Sequence, residues 1–125
     1  MPVIRSSETR RSETPAGVMT TLASPTLGGA EHSLWRVEVA PGAPQGPVHL
    51  FDVEQVWTFM EGGATIELDG RTHIMESGDT IVIPAAATRR VTGHPEVGFT
   101  AVVTAPAGAK ASVPGGEGTV PPWIL

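Results

Sequence analysis

The stretch that decides the fold is VEQVWTFMEGGATIELDGRTHIMESGDTIVIP, Val53 to Pro84. It divides into short runs rich in β-branched and aromatic residues, each closed by Gly, Pro or Asp. That is the pattern of short strands. Asp69-Gly70, between TIEL and RTHIM, is the dipeptide a tight hairpin asks for, because both turn positions need positive φ. Toward the N-terminus, SLWRVEVAPGA (33–43) alternates. Leu34, Arg36 and Glu38 fall on one face, and Trp35, Val37 and Val39 on the other, before a Pro41-Gly42 turn. Toward the C-terminus, RRVTG and VGFTAVVTAP continue the series. No window carries a 3.6-residue apolar period, and no internal repeat is visible. Strands at intervals of roughly 8–12 residues predict an all-β sandwich or barrel.

The chain has 125 residues and a mass of 13.0 kDa, which suits one domain with one core. Its 15 glycines and 12 prolines agree with many turns. A net charge of −5 leaves no general basic face, so no nucleic-acid partner is expected. The absence of cysteine removes disulfides and thiolate metal sites. No apolar run reaches the roughly 18 residues of a membrane span, and the N-terminus lacks an apolar signal core, so the expectation is a cytoplasmic protein with no membrane partner. Residues 1–14 are polar and carry basic side chains. They are expected to form a flexible or subunit-exchanged arm, or an edge element, ahead of a barrel over 15–125. The prolines of VPGGEGTVPPWIL exclude a helix there. Trp123-Ile124-Leu125 is too apolar to hang in water, so the tail is expected to pack back on the barrel or against a partner subunit. A homodimer is expected, since an open sheet edge needs covering.

With these elements in place, the chain resembles a small single-domain cupin, a double-stranded β-helix of jelly-roll type, over about residues 30–105. The scaffold positions Pro41-Gly42, Gly62, Asp69-Gly70, Gly78-Asp79 and Pro84 fit the two motifs of that family. The metal-ligand positions do not. His49 keeps the first histidine. Phe51 stands at the second, Gln55 at the glutamate and Arg89 at the third histidine; Ala86 replaces the motif glycine and Gly93 the closing asparagine. Phe51 has no lone pair, Gln55 offers only a neutral amide, and Arg89 would place a permanent cation where the ion belongs. Two like charges about 4 Å apart cost several kcal/mol at an effective dielectric near 20. The expectation is therefore no metal and no other cofactor, with a divalent ion at His49 as the competing reading.

If Gln55 points inward as that family's glutamate does, alternation carries Trp57 and Phe59 with it, and His49, Phe51 and Arg89 converge on the same space. Such a pocket, apolar with a few polar groups, suits a small organic molecule. His49 is the candidate acid or base, and Arg89 and Gln55 the candidate stabilisers of negative charge on oxygen. Phe51, Trp57, Phe59 and Arg36 are the candidate substrate contacts. Bland readings stand beside these: Arg89 paired with Glu38, Glu54 or Asp79, His49 as a satisfied barrel histidine, and Trp57 and Phe59 as plain core. His32, His73 and His94 read as rim or surface residues. Three functions remain open at this stage. One is a metal-independent isomerase, cyclase or lyase acting on an anionic or polyketide-like molecule. The second is a non-catalytic binding or sensor protein, and the third an oxygenase-like metal-dependent enzyme with rearranged ligands.

Overall fold

The computed structural model describes residues 2–125. After a single 3-10 turn at Ser6–Glu8 come ten strands: β1 Arg10–Thr14, β2 Gly17–Ala23, β3 His32–Val39, β4 Leu50–Phe51, β5 Gln55–Leu68, β6 Arg71–Glu76, β7 Thr80–Ile83, β8 Arg89–Gly93, β9 Phe99–Pro106 and β10 Ala111–Ser112. There is no α-helix among the described residues, and no helix is long and apolar enough to cross a membrane. The all-β expectation is met.

β5 is the spine. Gln55–Thr58 pair with β7, Val56–Gly62 with β9, Gly63–Leu68 with β6 and Ala64–Leu68 with β8, all antiparallel. The strand changes partners at Gly62-Gly63, beside a register shift between Phe59 and Glu61. Gly62 has φ 73°, and a Cβ there would run into the carbonyl oxygen of Gly98. Gly98, at φ 61°, lies in turn against the carbonyl of Val39. Three backbones meet where only glycine fits, and that contact bends the sheet. The main sheet then runs β1-β2-β3-β9-β5-β6, with β7 and β8 also on β5, and β4 pairs with β10 apart from it.

Alternation fills the barrel. Phe99, Ala101, Val103 and Ala105 of β9 point inward with Trp35 and Val37 of β3, and Phe59 and Ile66 of β5 are fully buried. The β5–β6 hairpin closes on Asp69 and Gly70 at φ 46° and 81°, the conformation the dipeptide implies.

Part of the segment expected as an arm belongs to the sheet. Arg10–Thr14 is an edge strand paired with β2 of the same chain, because Thr14 Oγ1 accepts from the N–H groups of Ala16 and Gly17 and closes the turn. Met1 lies outside the described residues. The C-terminal segment docks on the barrel: Ile124 is fully buried, and its carbonyl accepts from Ser33 Oγ at 2.6 Å.

Candidate functional site

The barrel holds a cavity of about 740 Å³. Its walls are apolar: Trp35 and Val37 from β3, Phe51 from β4, Trp57 from β5, Phe99 from β9 and Trp123 from the C-terminal segment. His49, from the loop before β4, and Gln55, the first residue of β5, are its polar lining residues nearest Arg89.

The local backbone fixes His49. Its N–H donates to Arg89 O at 3.0 Å, and Arg89 N–H donates back to His49 O at 2.9 Å. In the ring, Nδ1 lies 2.9 Å from Pro47 O. A carbonyl only accepts, so Nδ1 carries the hydrogen and the lone pair is on Nε2, which has no partner among the described residues. Burial holds the imidazole below its usual pKa. The Pro47 bond opposes this, and the nearby Arg89 charge adds to the lowering. His49 is thus a neutral imidazole with a free lone pair at neutral pH.

Gln55 is 1 % exposed. Its Oε1 accepts from Trp57 Nε1 at 3.0 Å and from Arg89 Nη2 at 3.1 Å. Two donors on one atom require that atom to be the oxygen, which settles the amide orientation. Nε2 is left without a partner.

Arg89 is the unusual member. It is 2 % exposed, and its guanidinium carbon lies 4.6 Å from the Phe51 ring centre, a cation–π contact. Nε and Nη1 have no partner. Burial lowers its pKa to about 10. Among the described residues the ion pairs are Arg11–Glu13 and Arg36–Glu38, so no carboxylate balances Arg89. A buried cation without a counter-ion is costly and needs a reason.

The expected site therefore comes together in part. His49, Gln55, Phe51 and Trp57 share the cavity. Arg89 does not line it; Phe51 and Gln55 cover the guanidinium, which works one layer behind them. Phe59 is also behind, stacked on Trp57 at 6.0 Å between ring centres and against Phe99 at 5.2 Å. Arg36 is outside: it sits on the opposite face of β3 from Trp35 and Val37 and pairs with Glu38 at 3.0 Å. Of the other histidines, His32 opens β3, His73 is exposed on β6, and His94 Nδ1 accepts from Glu96 N–H. Asp79 accepts from Glu76 N–H, which is turn chemistry. Trp35, Phe99 and Trp123 are the aromatic cavity residues the sequence reading missed. The alternation of SLWRVEV already put Trp35 on the inner face of its strand, whereas nothing local points Trp123 into a cavity.

Cupins commonly hold a divalent ion on imidazoles and a carboxylate, and the four corresponding positions here are His49, Phe51, Gln55 and Arg89. One imidazole remains, the Gln55 oxygen already accepts two hydrogen bonds, and the fourth position holds a cation. These donors do not fit a divalent ion. No group of three or more His, Cys, Asp or Glu placed to share one occurs among the described residues.

Comparison with known proteins agrees with the fold. The family described as "Cupin domain" matches residues 35–103. Among solved structures, the polyketide cyclase RemF from Streptomyces resistomycificus superposes with a TM-score of 0.73 at 22 % identity, covering 87 % of this chain and 81 % of its own. An RmlC-like cupin from Shewanella frigidimarina gives 0.69 at 20 % identity, with 84 % and 90 % covered. The salicylate 1,2-dioxygenase from Pseudoaminobacter salicylatoxidans gives 0.70 at 17 % identity, with 85 % of this chain covered but only 31 % of the dioxygenase. At these identities the likeness shows the fold. No curated protein matches the chain.

Proposed function

Because this chain belongs to the cupin domain family, whose fold hosts many chemistries, we propose that it is a metal-independent enzyme of isomerase, cyclase or lyase type. It would move protons on an anionic or polyketide-like organic molecule held in the barrel. One observation carries this reading. A neutral imidazole with a free Nε2 lies in an aromatic-walled cavity, and beside it the Gln55 amide, its Nε2 buried and without a partner, is bonded to an uncompensated arginine.

The chemistry follows from those atoms. A C–H beside a ligand carbonyl gives its proton to His49 Nε2, and the bond electrons pass to the carbonyl oxygen as an enolate. The Gln55 amide, its buried Nε2 left without a partner, lies beside that charge. Arg89, through its bond to Gln55 Oε1, polarises the amide and favours the negative charge. The imidazolium then returns the proton to another position. The aromatic walls exclude water and hold a flat ligand by stacking. A homodimer belongs to this proposal, with the open edge of β1 as a surface to cover.

A binding protein without chemistry is the second reading, favoured by the sealed position of Arg89. The two part company in one experiment. In D2O, hydrogen exchange at the acidic C–H of 2-tetralone is followed by NMR with wild type and His49→Ala. Accelerated exchange with wild type, lost in the variant by 100-fold or more while the ketone still binds, is the expected result. Equal rates in both proteins would leave only the binding reading.

A further inference from the structure

We infer that the C-terminal segment, residues 107–125, is the specificity wall of this cavity, and that Trp123 sets the size of the ring system it admits. This rests on the reading of the cavity as a ligand site. The chain has three tryptophans, and all three line the one cavity. Trp35 and Trp57 come from strands of the main sheet, while Trp123 comes from a segment outside that sheet.

Its placement is nevertheless fixed. Three consecutive carbonyls are gripped by hydroxyls of the N-terminal half. Thr21 Oγ1 donates to Trp123 O at 2.7 Å, Ser33 Oγ to Ile124 O at 2.6 Å and Thr26 Oγ1 to Leu125 O at 2.7 Å. Thr21 and Ser33 are fully buried. Without the segment, both hydroxyls would lose these partners, so strands β2 and β3 are built to receive it. Ile124 is fully buried in the core, and the Trp123 ring packs against that core.

At its other end the segment is tied to β4, the strand that follows His49. Ala111 pairs with Phe51 and Ser112 with Leu50, and Lys110 N–H donates to Asp52 Oδ1 at 2.8 Å. Between these anchors Val113–Thr119 is exposed and contains Gly115, Gly116 and Gly118. Glu117, on this stretch, is the one carboxylate that lines the cavity. The segment thus spans the cavity from the Phe51 side to the β2–β3 side, with Trp123, held by its backbone, as a lining residue. Gln55 and Trp57 lie on β5, which this segment does not pair with.

The test uses two flat aromatic anions, 2-naphthoate with two rings and pyrene-1-carboxylate with four. Affinities are measured by calorimetry for wild type, Trp123→Ala, Trp123→Phe and Gln55→Ala. The expected result is a shift of at least tenfold in the pyrene-to-naphthoate affinity ratio for Trp123→Ala, and a smaller shift the same way for Trp123→Phe. Gln55→Ala weakens both probes alike and leaves the ratio unchanged. A ratio within twofold of wild type in both Trp123 variants overturns the specificity role while the cavity reading stands. Should Trp123→Ala not fold, the Trp123→Phe ratio alone decides. Failure of wild type to bind either anion overturns the cavity reading and this inference with it.

Discussion

Two adjoining turns of the barrel follow different rules. Asp69 N–H donates to Thr88 O at 2.9 Å, so the β5–β6 hairpin and the segment leading into β8 touch. In the hairpin every local preference agrees: Asp69 and Gly70 take positive φ, and Asp69 Oδ1 accepts from both the N–H and the hydroxyl of Thr88. In the neighbouring turn Ala86, a residue with a Cβ, is held at φ 65°, and three residues later the chain buries Arg89 without a counter-ion. The first turn is specified by its own residues. The second holds two local costs, and costs of this kind concentrate where a protein does its work.

The largest test of that contrast is Arg89→Met. If the cation is kept for function, replacing it with an apolar side chain of similar length should raise stability by about 1–3 kcal/mol, since the lost Gln55 bond and the lost Phe51 contact are smaller than the burial penalty removed. Denaturant melts would show this, together with weaker binding of 2-naphthoate. A destabilised variant would mean that the guanidinium is a structural strut.

Next is pH. The His49 pKa lies below its unfolded value of about 6.5. Above pH 6.5 the ring is neutral in both states and stability is flat in this respect. As pH falls below 6.5 the unfolded chain takes up the proton first, so stability declines until the folded ring also titrates. Proton-transfer activity should accordingly persist below pH 6.5 before its acid limb appears. In Arg89→Met the limb should move upward, because one of the lowering influences is gone, but it should stay below the free value because burial remains. A limb that does not move would detach Arg89 from the base.

The smallest effect is Ala86→Gly. Relieving a left-handed alanine gains about 1–2 kcal/mol, and the freer unfolded chain takes back roughly half or more, so a net gain of a few tenths to about 1 kcal/mol is expected. The same exchange at Gly70, written Gly70→Ala, would run the other way and sharpen the contrast between the two turns.

The fold was legible because its signals are local. Asp69-Gly70, Gly62 and the alternation of SLWRVEV each constrain the backbone without reference to anything distant. The site was legible only as far as strand alternation and the family resemblance reach. They brought His49, Phe51, Gln55 and Trp57 together, but alternation gives a face and not a depth. Phe59 shares the face of Trp57 yet lies behind it, and Arg89 points inward yet stops one layer short of the cavity. Arg36 is on the outer face of its strand, as the sequence already placed it, so its assignment to the ligand had no support in the alternation. Trp123 could not be placed because its position depends on hydroxyls at 21, 26 and 33, roughly 90 to 100 residues away.

The aromatic inventory has a practical consequence. With no tyrosine and all three tryptophans on the cavity wall, every indole that absorbs and emits light in this molecule looks into the same space. Its near-ultraviolet emission is therefore a built-in optical gauge of that space alone. Whatever enters will be seen without a label, and the indole nearest to it can be identified by removing the three in turn.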